Sequence, residues 1–234
     1  MTRPRFAHTL VLFLACGLAN ALPQQEAPQQ KAAQQEPDAV SEPDIPAGAC
    51  TSRGVEVPCP GPQPFGFTRG MTKAQILSLL GKDAVVVDRG DNFMVSTAPK
   101  PHPDFETYIL HVSTSSGLAG VSANSKDIST NVFGESLKNK FFEVEDALEK
   151  KYGKPVTIRD EVADGSLWTE PQYWMMGLLK EDRTLEARWN YGNASIALYA
   201  IARSQETGYL LLAYELSNFG TWKREHDQKR DASY

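Results

Sequence analysis

The chain has 234 residues, 24 of them basic and 29 acidic, for a net charge of −5, and 41% of its residues are apolar. The acidic balance speaks against a nucleic-acid partner, which would need a basic surface. Beyond the first 21 residues no apolar run approaches the roughly 20 residues that cross a bilayer, so no membrane-spanning segment is expected.

Residues 1–21 read as an export signal. Arg3 and Arg5 make a basic start, an apolar run covers 6–15, and Ala19-Asn20-Ala21 offers the small-x-small pattern after which signal peptidase cuts. The expected location is outside the cytoplasm of a bacterium, in the periplasm or the medium. Within this segment Leu12-Phe13-Leu14-Ala15-Cys16-Gly17 fits a permissive lipobox, although Phe13 and Leu14 depart from the preferred residues. Two fates are therefore open: cleavage after Ala21, or lipidation of Cys16, which would tether the protein to the envelope. A lipid is the only route to a membrane. Loss of 1–21 removes two basic residues and no acidic one, which leaves a net charge near −7.

Residues 22–49, rich in Gln, Pro and Ala, have too little apolar surface to offset their ordering entropy and read as a disordered linker. Residues 50–64 carry the two remaining cysteines, Cys50 and Cys59. An even pair in an exported chain implies a disulfide. Closing that ten-residue loop is worth roughly 2.5–3 kcal/mol on the chain-entropy account. The spacing suits neither a zinc site nor a Cys-x-x-Cys redox turn.

Residues 65–219 read as a single α+β domain, a two-layer sandwich with helices on one face of an antiparallel sheet. A short helix is expected at 72–80. Thr72 and Gln75 form a capping box, Met71 and Ile76 a hydrophobic staple, and Ile76, Leu79 and Leu80 share a face. Strands are expected at 84–88, 92–98, 105–113 and 117–125, with Arg89-Gly90-Asp91 as a turn. A long helix follows at 135–152, where Leu137, Phe141, Val144, Leu148 and Tyr152 form one apolar stripe. After an irregular stretch come strands at 183–190, 195–202 and 207–217, the last two more apolar and central. Helix-then-strands twice over suggests a tandem repeat. Residues 220–234 are charged on every side and read as a frayed tail.

Gly70-Met71-Thr72-Lys73-Ala74-Gln75-Ile76-Leu77-Ser78-Leu79-Leu80-Gly81 resembles the first-helix pattern of two related groups. These are the small lipoprotein of the outer-membrane β-barrel assembly machine and the secreted β-lactamase inhibitor proteins. The second group carries a tandem helix-plus-strands repeat, the order expected here. The likeness covers about 12 of 234 residues, mostly cap and core, so it implies fold, and no binding residue carries over.

No catalytic signature emerges: there is no Gly-x-Ser-x-Gly elbow and no Ser-x-x-Lys pair. His102, His111 and His226 lack a second ligand at zinc spacing, so no metal and no cofactor are expected. Glu143, Glu145 and Asp146 read as the solvated side of the long helix, and Asp160, Glu161 and Asp164 lack the ligand spacing of a calcium loop. The unusual composition lies at 166–176, Ser-Leu-Trp-Thr-Glu-Pro-Gln-Tyr-Trp-Met-Met. Trp168 and Tyr173 could staple a helix around a Thr169–Gln172 capping box. Alternatively Trp168, Tyr173 and Trp174 form a partner surface, since aromatic and Met side chains are enriched at interfaces. The leading expectation is a non-catalytic envelope protein that binds another protein, in outer-membrane assembly or maintenance. The alternatives are an inhibitor or effector of an extracellular hydrolase, and an enzyme with a dispersed site.

Overall fold

The computed structural model describes residues 49–52, 55–58, 61–81, 84 and 86–232. The segment expected as an export signal, with Cys16, the expected linker up to residue 48, and Cys59 lie outside the described residues. Cys50 lies in β1 (Ala49–Ser52), which pairs antiparallel with β2 (Val55–Pro58) and places it opposite Val57.

Helix α1 (Lys73–Leu80) starts at the expected capping box. Thr72 Oγ1 accepts from the Gln75 N–H at 3.3 Å, and Gln75 Oε1 accepts from the Thr72 N–H at 2.8 Å. Ile76 is fully buried and Leu80 packs partly against the core, but Leu79 is 47% exposed. A two-turn helix buries a narrow edge, and Leu79 falls just outside it.

A meander follows: β3 (Val86–Asp88), β4 (Asn92–Val95), β5 (Phe105–Ser113) and β6 (Gly117–Ser125). The Arg89-Gly90-Asp91 turn closes with the Arg89 N–H donating to the Asn92 carbonyl at 2.8 Å. After the short β7 (Ile128–Ser129) comes α2 (Glu135–Tyr152), with bounds as the stripe predicts. A second meander contains β8 (Thr157–Val162), β9 (Arg183–Tyr191), β10 (Ala194–Ala202) and β11 (Thr207–Glu215), with α3 (Trp174–Leu179) between β8 and β9. The sheet runs β3-β4-β5-β6-β11-β10-β9-β8, with β7 pairing the start of β11. Among the described residues every pairing is antiparallel, and the two meanders meet along the β6–β11 seam, extended by β7. The fold is α+β, with two helix-plus-strand halves joined edge to edge in one continuous sheet.

Side chains alternate across a strand, so each strand sends every second residue to each face. One face carries Phe93, Tyr108, Leu110, Val121, Leu212, Ile196 and Trp189, all at most 3% exposed. It is roofed by Ile76 of α1, by Leu137, Phe141, Val144 and Leu148 of α2, and by Met175 and Leu178 of α3.

The residues expected as a charged tail instead form α4 (Phe219–Asp231). This helix packs on β5 and β6 and presents Phe219 and Trp222 to His111, at 5.7 and 4.6 Å between ring centroids. His111 points away from its neighbour Leu110, so α4 lies on the sheet face opposite the other helices. The helices expected at 72–80 and 135–152 share one face of the sheet, and α4, in the expected tail, is an addition to the other. Gly120 makes the approach feasible, because a Cβ there would meet the Phe219 ring at 2.9 Å. The other departure is β8, an exposed edge strand of sequence Thr-Ile-Arg-Asp-Glu-Val in the stretch expected to be irregular.

Candidate functional site

The aromatic segment at 166–176 divides between core and surface. Trp174 is 2% exposed and lies under the Lys138 ammonium, 4.2 Å from the ring centroid. A Cβ on Gly134, at φ +70, would come within 2.1 Å of the Trp174 ring, so the start of α2 is built around this indole. Trp174 therefore drops out of the expected partner surface. Trp168 is half-buried and meets Tyr173 edge-on at 5.5 Å, Tyr173 is 40% exposed, and Leu167 beside them is 81% exposed. The staple of Trp168 on Tyr173 is present, but the Thr169–Gln172 capping box is not. Pro171–Tyr173 is a 3-10 turn that leads into α3, with no side-chain cap at either start.

A broader surface lies on the outer face of the sheet. Beyond the edge of α4, two cross-strand rows run over the β5-β6-β11-β10-β9 strands. One is Ile109, Ser122, Ala213, Ala197 and Arg188; the other is Thr107, Asn124, Leu211, Tyr199 and Glu186. Tyr209 and Ile201 face each other next to the second row. An outer face turned to water ordinarily carries polar residues. Here Ile109, Leu211, Tyr199, Tyr209 and Ile201 are half-buried aliphatic and aromatic groups with part of their surface open. Among the described residues, α4 is the helix on this face, and it stops at β5 and β6.

Charge frames this surface at the β8–β9 end. Glu186 is 3% exposed yet stays ion-paired, with Arg188 at 2.9 Å and Arg159 at 3.5 Å. Arg188 also lies 5.6 Å from the Tyr199 ring centroid, and Arg203 lies 4.3 Å from that of Tyr209. Stacked guanidinium and phenol groups pre-order the side chains that commonly supply interface energy. The sequence signal for this face was present, since β10 and β11 are apolar at both alternating positions. That pattern marked them as central strands without revealing that their second face stays open.

The C-terminal helix is tied down by polar contacts. Glu225 accepts from the Thr114 N–H at 2.7 Å, the Ser115 N–H at 3.3 Å, and the Ser113 and Ser115 hydroxyls. The Ser115 hydroxyl bond and the backbone N–H donors hold its carboxyl below the ordinary value despite some desolvation. His226 Nδ1 lies 2.7 Å from Asp91 Oδ2, and the Trp222 indole donates to the Asp91 carbonyl at 3.2 Å. Burial works to raise the Asp91 carboxyl, but the His226 contact and a backbone bond outweigh it and hold it low. The Arg-Gly-Asp tripeptide is thus a turn whose Asp is engaged internally.

Beneath Trp222, His111 bridges Asn92 Oδ1 at 2.7 Å and Ser122 Oγ at 3.2 Å. Serine, histidine and an orienting amide stand in a row, as in a nucleophile–base–orienter arrangement. The electrostatics point elsewhere. Burial first, then the nearby His226, lower the His111 pKa to about 4, and such an imidazole is a weak base at neutral pH. The neutral ring, Nδ1 donating and Nε2 accepting, ties three strands together. Glu145 departs from its expected place on the solvated side of α2. It is 5% exposed, its Oε1 has no hydrogen-bond partner, and burial raises its pKa, aided by Asp146 and Glu149. Asp160 is engaged by Arg183 at 2.6 Å and by the Trp174 indole at 3.4 Å. No group of three or more His, Cys, Asp or Glu residues placed to hold a metal occurs among the described residues. No helix among the described residues is long and apolar enough to cross a membrane.

Comparison with protein families, with curated proteins and with solved structures gives no match to this chain.

Proposed function

We propose that this chain is an exported, non-catalytic protein-binding module of the bacterial envelope, acting in outer-membrane assembly or maintenance. The observation that carries the reading is the open outer face of the sheet. Tyr199, Tyr209, Leu211, Ile201 and Ile109 form a continuous apolar and aromatic surface there, framed by Arg188 and Arg203. Tyr and Arg anchors on a rigid sheet need little ordering on contact, which favours binding another folded protein. The export signal at 1–21 and the first-helix resemblance at 70–81 support the envelope setting. The cluster of exposed Leu167 and Tyr173 with half-buried Trp168 is a second, smaller contact.

The test places a photo-crosslinking residue at position 199 or 211, with position 173 as comparator, in the chain expressed in its own cells. A discrete adduct at 199 or 211, lost when Ile201→Glu is added, is the expected result. Adducts at 173 alone would move the interface to the aromatic segment, and adducts at none would end the binding-module reading. Export is tested by mass analysis of the mature N-terminus. A chain that keeps Met1 in the cytosolic fraction refutes it.

A further inference from the structure

We infer that the cleft between α2 and the loops 63–66 and 100–105 is a binding site for a small molecule with an apolar body and a carboxylate head. The cleft lies on the helix-covered side of the sheet, away from the proposed partner surface, and encloses about 310 Å³. That is at the small end of the range in which ligand pockets fall, roughly 300–1,000 Å³. Its floor is apolar and ring-rich. Phe65 stands edge-on to Tyr108 at 4.8 Å and to Tyr214 at 6.1 Å, and meets Phe105 at 5.7 Å, while Leu148 and Leu212 line the same cleft. Burial pushes the Tyr214 phenol well above its ordinary pKa, so it stays a neutral hydroxyl in a dry floor.

Phe65 reaches this position at a backbone cost. It has φ 53 and ψ 24, a left-handed conformation that a bulky residue rarely adopts. The Lys100 N–H fixes it by donating to the Phe65 carbonyl at 2.9 Å. Strain of this kind persists where surrounding structure over-determines it, and it gathers at ligand clamps. The ring is the element it serves, since it forms one wall of the cleft.

The mouth decides the charge of the occupant. Two acids, two lysines and a histidine line it: Asp104, Glu143, Lys100, Lys151 and His102, whose Nδ1 lies 3.9 Å from Asp104 Oδ2. Both acids are already engaged by Lys140, at 3.3 Å to Asp104 and 2.9 Å to Glu143. Neither Lys100 nor Lys151 has a carboxylate partner among the described residues; Lys151 lies 4.9 Å from the Tyr152 ring centroid. Counting Lys140, these rim side chains hold one more cation than anion around an apolar floor, and neither Lys100 nor Lys151 is neutralised by a carboxylate among the described residues. A carboxylate on an apolar stem satisfies both features at once. A neutral stem would satisfy only the floor, and a cationic head would meet like charge.

The test titrates the full mature chain with decanoate, decanol and decyltrimethylammonium by calorimetry. Decanoate should bind at one site, decanol at least tenfold more weakly, and the cation not at all. Ala147→Trp, a rim position on α2 that faces solvent, should fill the cleft and abolish decanoate binding with an unchanged thermal midpoint. Lys100→Glu combined with Lys151→Glu should weaken decanoate at least tenfold while leaving decanol unaffected. Absence of saturable decanoate binding overturns the site. Decanoate binding that survives Ala147→Trp places the ligand elsewhere and overturns it as well. Equal affinity for decanol and decanoate overturns the carboxylate assignment.

Discussion

Acidification should loosen this protein through His111, at a pH above that at which the depressed carboxylates Asp91 and Glu225 are lost. Burial first, then the charge of His226, lower the His111 pKa from 6.5 to about 4, while Asp91 pulls weakly the other way. A gap of about 2.5 units is worth about 3 kcal/mol at 1.36 kcal/mol per unit. The pKa falls on folding, so the unfolded chain takes up its proton first as pH drops. The stability that neutral His111 contributes is therefore complete above pH 6.5 and is lost progressively as pH falls towards 4. Asp91 and Glu225 have carboxyls held below their ordinary values, so their losses come at lower pH. The nearby Lys229 ammonium also acts to hold Asp91 low. Urea unfolding of the wild type and of His111→Gln at pH 7.5 and 4.5 isolates the effect. The wild type should lose about 2.5 kcal/mol more than the variant between the two pH values. An equal loss in both proteins would refute the reasoning, because a histidine outside the core would cost nothing to protonate.

Thr72→Ala should cost about 1 kcal/mol in the same assay, through loss of the observed capping box. Trp174→Ala should cost about 3–5 kcal/mol as a truncated core indole, whereas Tyr173→Ala should stay within about 0.5 kcal/mol as a surface change. Glu145→Leu should stabilise the protein at pH 8 and gain less at pH 4. The raised carboxyl of Glu145 contributes fully below its unfolded pKa and loses that contribution as pH rises; midpoints at the two pH values check the sign.

The elements specified by short-range patterns were readable in the chain. Thr72 and Gln75 marked the start of α1, and steps of three and four from Leu137 to Tyr152 marked α2 to the residue. Edge strand β8 escaped because an exposed strand of Thr, Arg, Asp and Glu has the composition of a loop, and such charges are what protect a sheet edge. Helix α4 escaped for a different reason. Its apolar residues are only Phe219 and Trp222, and what fixes it is distant in sequence: Glu225 on the turn at 113–116, and His226 on Asp91. Glu145 was misplaced although its spacing was informative. It lies four residues after Phe141 and three before Leu148, within the buried stripe. The outer face of the sheet depends on which strands become neighbours, and the β6–β11 seam joins residues about 90 positions apart. No local pattern carries that information.

The placement of α4 sets a timetable for synthesis. β5 and β6 emerge early, yet the helix that shields His111 and Gly120 is made of residues 219–231, at the far end of the chain. At about 5–20 residues per second, the first meander waits on the order of 5–20 s for its cover. During that interval the pocket for Phe219 and Trp222 stands open to water and to other nascent strands. A chain interrupted before residue 219 never closes that pocket.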